Sequence, residues 1–128
     1  MQLSVLLVTD AMLYNSVTLR LNGVDQESFL SPLYNYLIEG LAAVIPCPKE
    51  NVFVFSIRDD VEVDDPDSRI LNVSFSAKRP DLPGEVFYTQ QFLRERVYLR
   101  RQLLTKLTTL QVCSAHFPPI NSLMSTSQ

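Results

Sequence analysis

The chain has 128 residues, 46% of them apolar and 20% charged, with a formal net charge of −3. This balance suits one packed domain with short flanks rather than a disordered segment, and the mild acidity argues against general nucleic-acid binding. Gly is scarce, which excludes a glycine-rich phosphate cradle, and no run reaches the roughly 18 apolar residues of a membrane helix.

Residues 2–9 form a short apolar segment that reads as a strand with nothing before it to pair with. Leu3 to Val8 has no basic flank and is followed by Asp10, so it makes a poor signal peptide. From Asn15 to Leu21 the pattern alternates, with Val17, Leu19 and Leu21 inward and Ser16, Thr18 and Arg20 outward. Asn22-Gly23 marks a turn, and Asp25 can cap a helix with Glu27 in its first turn. Leu30, Leu33, Leu37, Leu41, Val44 and Ile45 recur at helical spacing and predict one apolar face. Pro32 sits either in the first turn of a helix capped by Ser31 or at a bend. Pro46 and Pro48 end the helix.

Val52 to Ile57 is β-branched and aromatic, as a strand should be. An acidic loop comes next, holding Asp59, Asp60, Glu62, Asp64, Asp65 and Asp67. In the next strand, 69–77, Leu71, Val73, Phe75 and Ala77 alternate with Asn72, Ser74 and Ser76. Asn72-Val73-Ser74 is also the acceptor pattern for N-glycosylation, and the alternation turns Asn72 outward. Pro80, Asp81, Pro83 and Gly84 form a loop. Thr89 can cap a second helix over 90–107, with Leu93, Val97, Leu104 and Leu107 on one stripe. Leu110 and Val112 begin a last strand, and from Ser114 the chain reads as a polar tail. The order predicts an α+β, ferredoxin-like βαββαβ sandwich: a four-stranded antiparallel sheet, first and third strands central, with two helices on one face.

Chemistry-bearing residues are sparse. His116 falls in the expected tail, so no Ser-His-Asp or Cys-His pair can be assembled around it. Cys47 and Cys113 are too few for a zinc site, and the topology places them at opposite sides of the sheet, which argues against a disulfide. The acidic loop could bind Ca²⁺ weakly but lacks the glycine and distal glutamate of an EF-hand; it also reads as a solvated hairpin loop. Arg94, Arg96, Arg100, Arg101 and Lys106 could meet an anionic polymer or form a solvated helix face. Phe53, Phe55 and Phe75 lack the glycine of an RNA-reading strand. No catalytic, cofactor-binding or metal-ligating residue is assigned.

Ile70-Leu71-Asn72-Val73-Ser74-Phe75-Ser76-Ala77, Phe87-Tyr88-Thr89 and Glu95-Arg96-Val97-Tyr98-Leu99 together resemble the flamingo (starry night) seven-pass cadherins, the cadherin EGF LAG seven-pass G-type receptors. Asn15 to Leu21, Phe29 to Leu33 and Glu39 to Ile45 match as well, so the resemblance runs from about Val8 to Val112. It implies a membrane-adjacent, ferredoxin-like domain between the last cadherin repeat and the first EGF-like module. Residues 1–10 would then be the closing strand of the preceding repeat, 11–113 the domain, and 114–128 a disordered divergent tail. After Val112 the family continues with a Leu-Pro-Phe-Asp-Asp run, where this chain reads Cys113-Ser114-Ala115-His116-Phe117-Pro118-Pro119. Cadherin Ca²⁺ motifs are absent, so Ca²⁺ is expected only in the cadherin repeats of a parent receptor.

The resulting expectation is a non-catalytic extracellular module of a receptor for homophilic cell–cell adhesion and planar cell polarity. Its partners would be the neighbouring cadherin repeat and EGF-like modules and the same receptor on an apposed cell, with no nucleic acid and no membrane insertion. It would lie outside the plasma membrane, carrying neither leader nor anchor itself, with Asn72 as the candidate glycosylation site. A packed core would make it a stiff spacer, angled by a linker over Asp10 to Tyr14. The alternative is a cytosolic ferredoxin-like module that binds a ligand or RNA.

Overall fold

The computed structural model describes residues 8–60 and 69–116. The expected first strand lies largely outside these residues. Asp10–Tyr14, expected as a linker, instead forms a short helix, α1, whose first turn is closed by Thr9 accepting a hydrogen bond from the Met12 N–H at 3.3 Å. Strand β1 comes next at Val17–Asn22 and ends at Gly23, whose φ of +74° suits a residue without Cβ.

Asp25 caps the next helical segment as its sequence position predicts. Its carboxylate accepts from the Ser28 N–H at 2.8 Å, and the Ser28 hydroxyl accepts from the Asp25 N–H, closing a reciprocal box around α2 (Gln26–Ser28). The chain then widens into one π-helical turn over Phe29–Leu33, containing Pro32, before α3 runs over Tyr34–Val44. The Tyr34 N–H donates to the Phe29 carbonyl across this wide turn. Ser31 is therefore not the start of a helix. The extra residue shifts the apolar phase, so Phe29 is fully buried while Leu30, expected inside, is 56% exposed.

A 3₁₀ turn at Lys49–Asn51 leads into β2 (Val52–Asp59), and β3 covers Ile70–Ala77. Thr89 caps α4 (Gln90–Leu99) by accepting from the Phe92 N–H. The second helix is not continuous: it breaks at Arg100 (φ −111°, ψ 22°) and resumes as α5 (Arg101–Thr108). Beyond the break, Leu104 and Thr108 are buried and Leu107, expected on the same stripe, is 48% exposed. Strand β4 runs over Gln111–His116, so residues 114–116 pair in the sheet rather than belonging to a tail.

The domain is thus α+β, with helices packed on an antiparallel sheet. The strand order is β2-β3-β1-β4, each neighbouring pair antiparallel. Val17, Leu19, Leu21, Leu71, Val73, Phe75 and Ala77 meet Leu37, Leu41, Val44, Leu93, Val97 and Leu104 in one core. Gly40 lets α3 and α5 approach closely: a Cβ there would lie 2.8 Å from both Leu104 and Thr108. Thr18 and Ser74, opposite one another in the ladder, turn to the other face and share a buried 2.7 Å hydrogen bond. On that face Ser76 is also fully buried, but its hydroxyl finds no partner among the described residues.

Candidate functional site

Asn72 lies in the middle of β3, between Leu71 and Val73, which are both sealed in the core. Alternation therefore places it on the face away from that core, as the sequence predicts. It is half-buried rather than freely exposed. The reason is lateral: its ladder partners are Arg20 on β1 and Arg58 on β2, two long side chains flanking it on the same face. The Arg20 guanidinium is held by Asp60 at 2.9 Å.

The acidic loop lies mostly outside the described residues, including Glu62, Asp64, Asp65 and Asp67. Its edges are engaged structurally. Asp59 accepts from the Gln26 N–H at 2.9 Å, Asp60 pairs with Arg20, and Arg69 pairs with the capping Asp25 at 2.6 Å. These contacts tie the β2–β3 connection to the start of α2 and, through Arg20, to β1. Hydrogen bonds from Ser28 and the neighbouring Arg69 charge hold the Asp25 carboxyl below its ordinary range.

The basic residues of the second helix do not converge. Arg96 is half-buried and its Nε–H donates to the Val44 carbonyl at 3.0 Å, satisfying a carbonyl in the last turn of α3. Arg101 lies over the Tyr98 ring at 4.2 Å and donates to the Tyr98 carbonyl. Arg94, Arg100 and Lys106 are exposed. Sequence position gave no sign that Arg96 would clamp one helix to another, since the contact spans 52 residues.

The aromatic residues considered for RNA do not share a face. Phe75 is fully buried in the helix-side core, whereas Phe53, opposite Ser76, turns the other way and packs edge-on against Phe87 at 6.3 Å. A base-stacking platform needs rings on one open surface. Tyr88 stacks on Phe92 at 4.7 Å beneath Arg79, which pins the loop before α4. Cys47 is a half-buried free thiol whose burial pushes its pKa up, the opposite of an activated nucleophile. Cys113 and His116 lie on β4, the edge of the sheet opposite β2.

No family model matches the chain, and no solved structure does. Among curated proteins it is 62% identical over 112 residues, 88% of its length, to the protocadherin-like wing polarity protein stan of Drosophila melanogaster. It is 46% identical over 110 residues to the human cadherin EGF LAG seven-pass G-type receptor 1, and 42% identical over 112 residues to receptor 2 of Rattus norvegicus, each match covering 86% of the chain. The chain spans only 3–5% of the length of these relatives. By matches over 86–88% of its length, the chain belongs, as a short segment, to the flamingo-type cadherin EGF LAG seven-pass receptor family.

Proposed function

We propose that this chain is a non-catalytic, ferredoxin-like extracellular module of a seven-pass adhesion receptor. The parent receptor would act in homophilic cell–cell adhesion and planar cell polarity. Its relatives are named as cadherin EGF LAG seven-pass G-type receptors and, in one case, as a protocadherin-like wing polarity protein. The observation that carries the reading is the 62% identity across 88% of the chain. Strand order supports the ferredoxin-like arrangement, with β1 and β3 central and helices filling both crossovers.

On this reading the chain lies between the last cadherin repeat and the first EGF-like module, on the outer side of the plasma membrane. Ca²⁺ belongs to the cadherin repeats of the parent receptor, and none is assigned to this chain. Asn72 carries an N-linked glycan projecting from the face opposite the core, and the partner is the same receptor on an apposed cell.

The test is expression of the chain, and of the full ectodomain, behind a secretory leader. Intact mass is compared before and after glycosidase, with Asn72→Gln as control. A glycan on Asn72 in both supports a folded extracellular module. Secretion of an unglycosylated chain removes the site, and failure of both products to leave the cell counts against the extracellular assignment.

A further inference from the structure

We infer that this domain opens from its β4 edge when tension is applied through its two ends, making it an extensible element of the ectodomain rather than a rigid spacer. The inference rests on the reading that the module is held between neighbours in a longer ectodomain. Its structural basis is the register of β1 with β4. Thr18, near the start of β1, lies opposite His116 at the end of β4, then Leu19 opposite Ala115 and Arg20 opposite Ser114. Neighbouring strands lie about 4.8 Å apart. The backbone therefore enters and leaves the sheet side by side, at the same end of two adjacent antiparallel strands.

Pulling these ends apart concentrates tension on the terminal rung of the ladder. Rungs then part in succession instead of sharing the force. Strand β4 is the weaker partner, because among the described residues it is an edge strand paired with β1 alone, whereas β1 is also held by β3 from Val17 to Asn22. The β1–β4 register also shifts between Arg20 and Leu21, interrupting the ladder part-way. The apolar anchors Leu110, just before β4, and Val112, at its far end, resist only after the near rungs have separated. A rigid in-line spacer would have its ends at opposite ends of the sheet. Full opening frees the 98 steps from Thr18 to His116, a contour of roughly 320–350 Å.

The test is optical-trap pulling of the full chain in two geometries. Handles at Asn15 and His116 peel the ladder; handles at Asn15 and the exposed Thr109 load β1 and β4 from opposite ends and shear all rungs together. The expected result is a several-fold lower opening force for the first pair. Equal or higher force in the first geometry overturns the inference. The comparison is internal to the fold, so it is decided separately from the secretion experiment. Equal forces would leave the adhesion-module reading standing, and a non-secreted chain could still show the force difference.

Discussion

Three buried hydroxyls on the outer face of the sheet show how differently similar residues contribute. Thr18 and Ser74 satisfy each other, while Ser76, one alternation along, is equally buried and unpartnered among the described residues. Removing one member of the pair leaves a buried hydroxyl unpaired, which costs about 1–3 kcal/mol. Removing Ser76 Oγ takes away a desolvated group that gives nothing back. Thr18→Val should therefore lower the urea midpoint, and Ser76→Ala should leave it unchanged or raise it. A fall for Ser76→Ala would show that the hydroxyl has a partner after all. Asp25 sets a pH dependence at the same scale. Its folded pKa lies below the ordinary 3.8, so its contribution is fully present above that value. It is lost as pH falls through the lowered folded value. Acid titration of stability should show a shallower loss below pH 3.8 in Asp25→Asn than in the parent chain.

At the scale of elements, the π turn decides which of two adjacent apolar residues enters the core. Phe29 is sealed and touches Tyr34 edge-on at 6.0 Å, whereas Leu30 faces solvent. Phe29→Ala should cost about 3–5 kcal/mol, and Leu30→Ala about 0.5 kcal/mol or less. Denaturant melts of the two variants check this; a reversed ranking would mean that the helix runs without the wide turn. The end of α5 holds a local backbone strain. Thr109 terminates it at φ +61°, a left-handed conformation that a β-branched residue adopts at a cost. Thr109→Gly should raise stability by up to about 1 kcal/mol, since relief of that strain outweighs the added flexibility of the unfolded chain. No change in thermal midpoint would show the strain to be offset by the Thr109 hydroxyl's own bond to the Thr108 carbonyl.

For the whole molecule, central strands and edges should differ in how they open. β1 and β3 each have neighbours on both sides, and their side chains form most of the sheet's share of the core. Native-state hydrogen exchange should find their amides opening only with global unfolding, and those of β4 at lower free energy. Uniform protection across all strands would contradict the proposed peeling from that edge. The same topology explains why the candidate residues do not gather at one place among the described residues. Arg96, Arg101, Asp59, Asp60 and Arg69 each hold one element against another or close a local turn, and Phe53 and Phe75 are divided between two faces.

The strands and caps were legible in the chain because local rules govern them. Alternation fixed which face Leu71, Val73 and Phe75 would take, and Asp25 and Thr89 announced helix starts through short side chains that reach their own backbone. The Asn72 acceptor pattern and the family resemblance were equally local, written in contiguous residues. What the sequence could not show arises where distant segments meet or where helical phase slips. The wide turn at Pro32, the break at Arg100 and the extension of β4 to His116 depend on what each segment packs against. Only the tertiary structure brought Arg20 and Arg58 beside Asn72, and the start of β1 beside the end of β4. Strand register, set by burial over the whole core, decides those neighbours, and no window of sequence contains it.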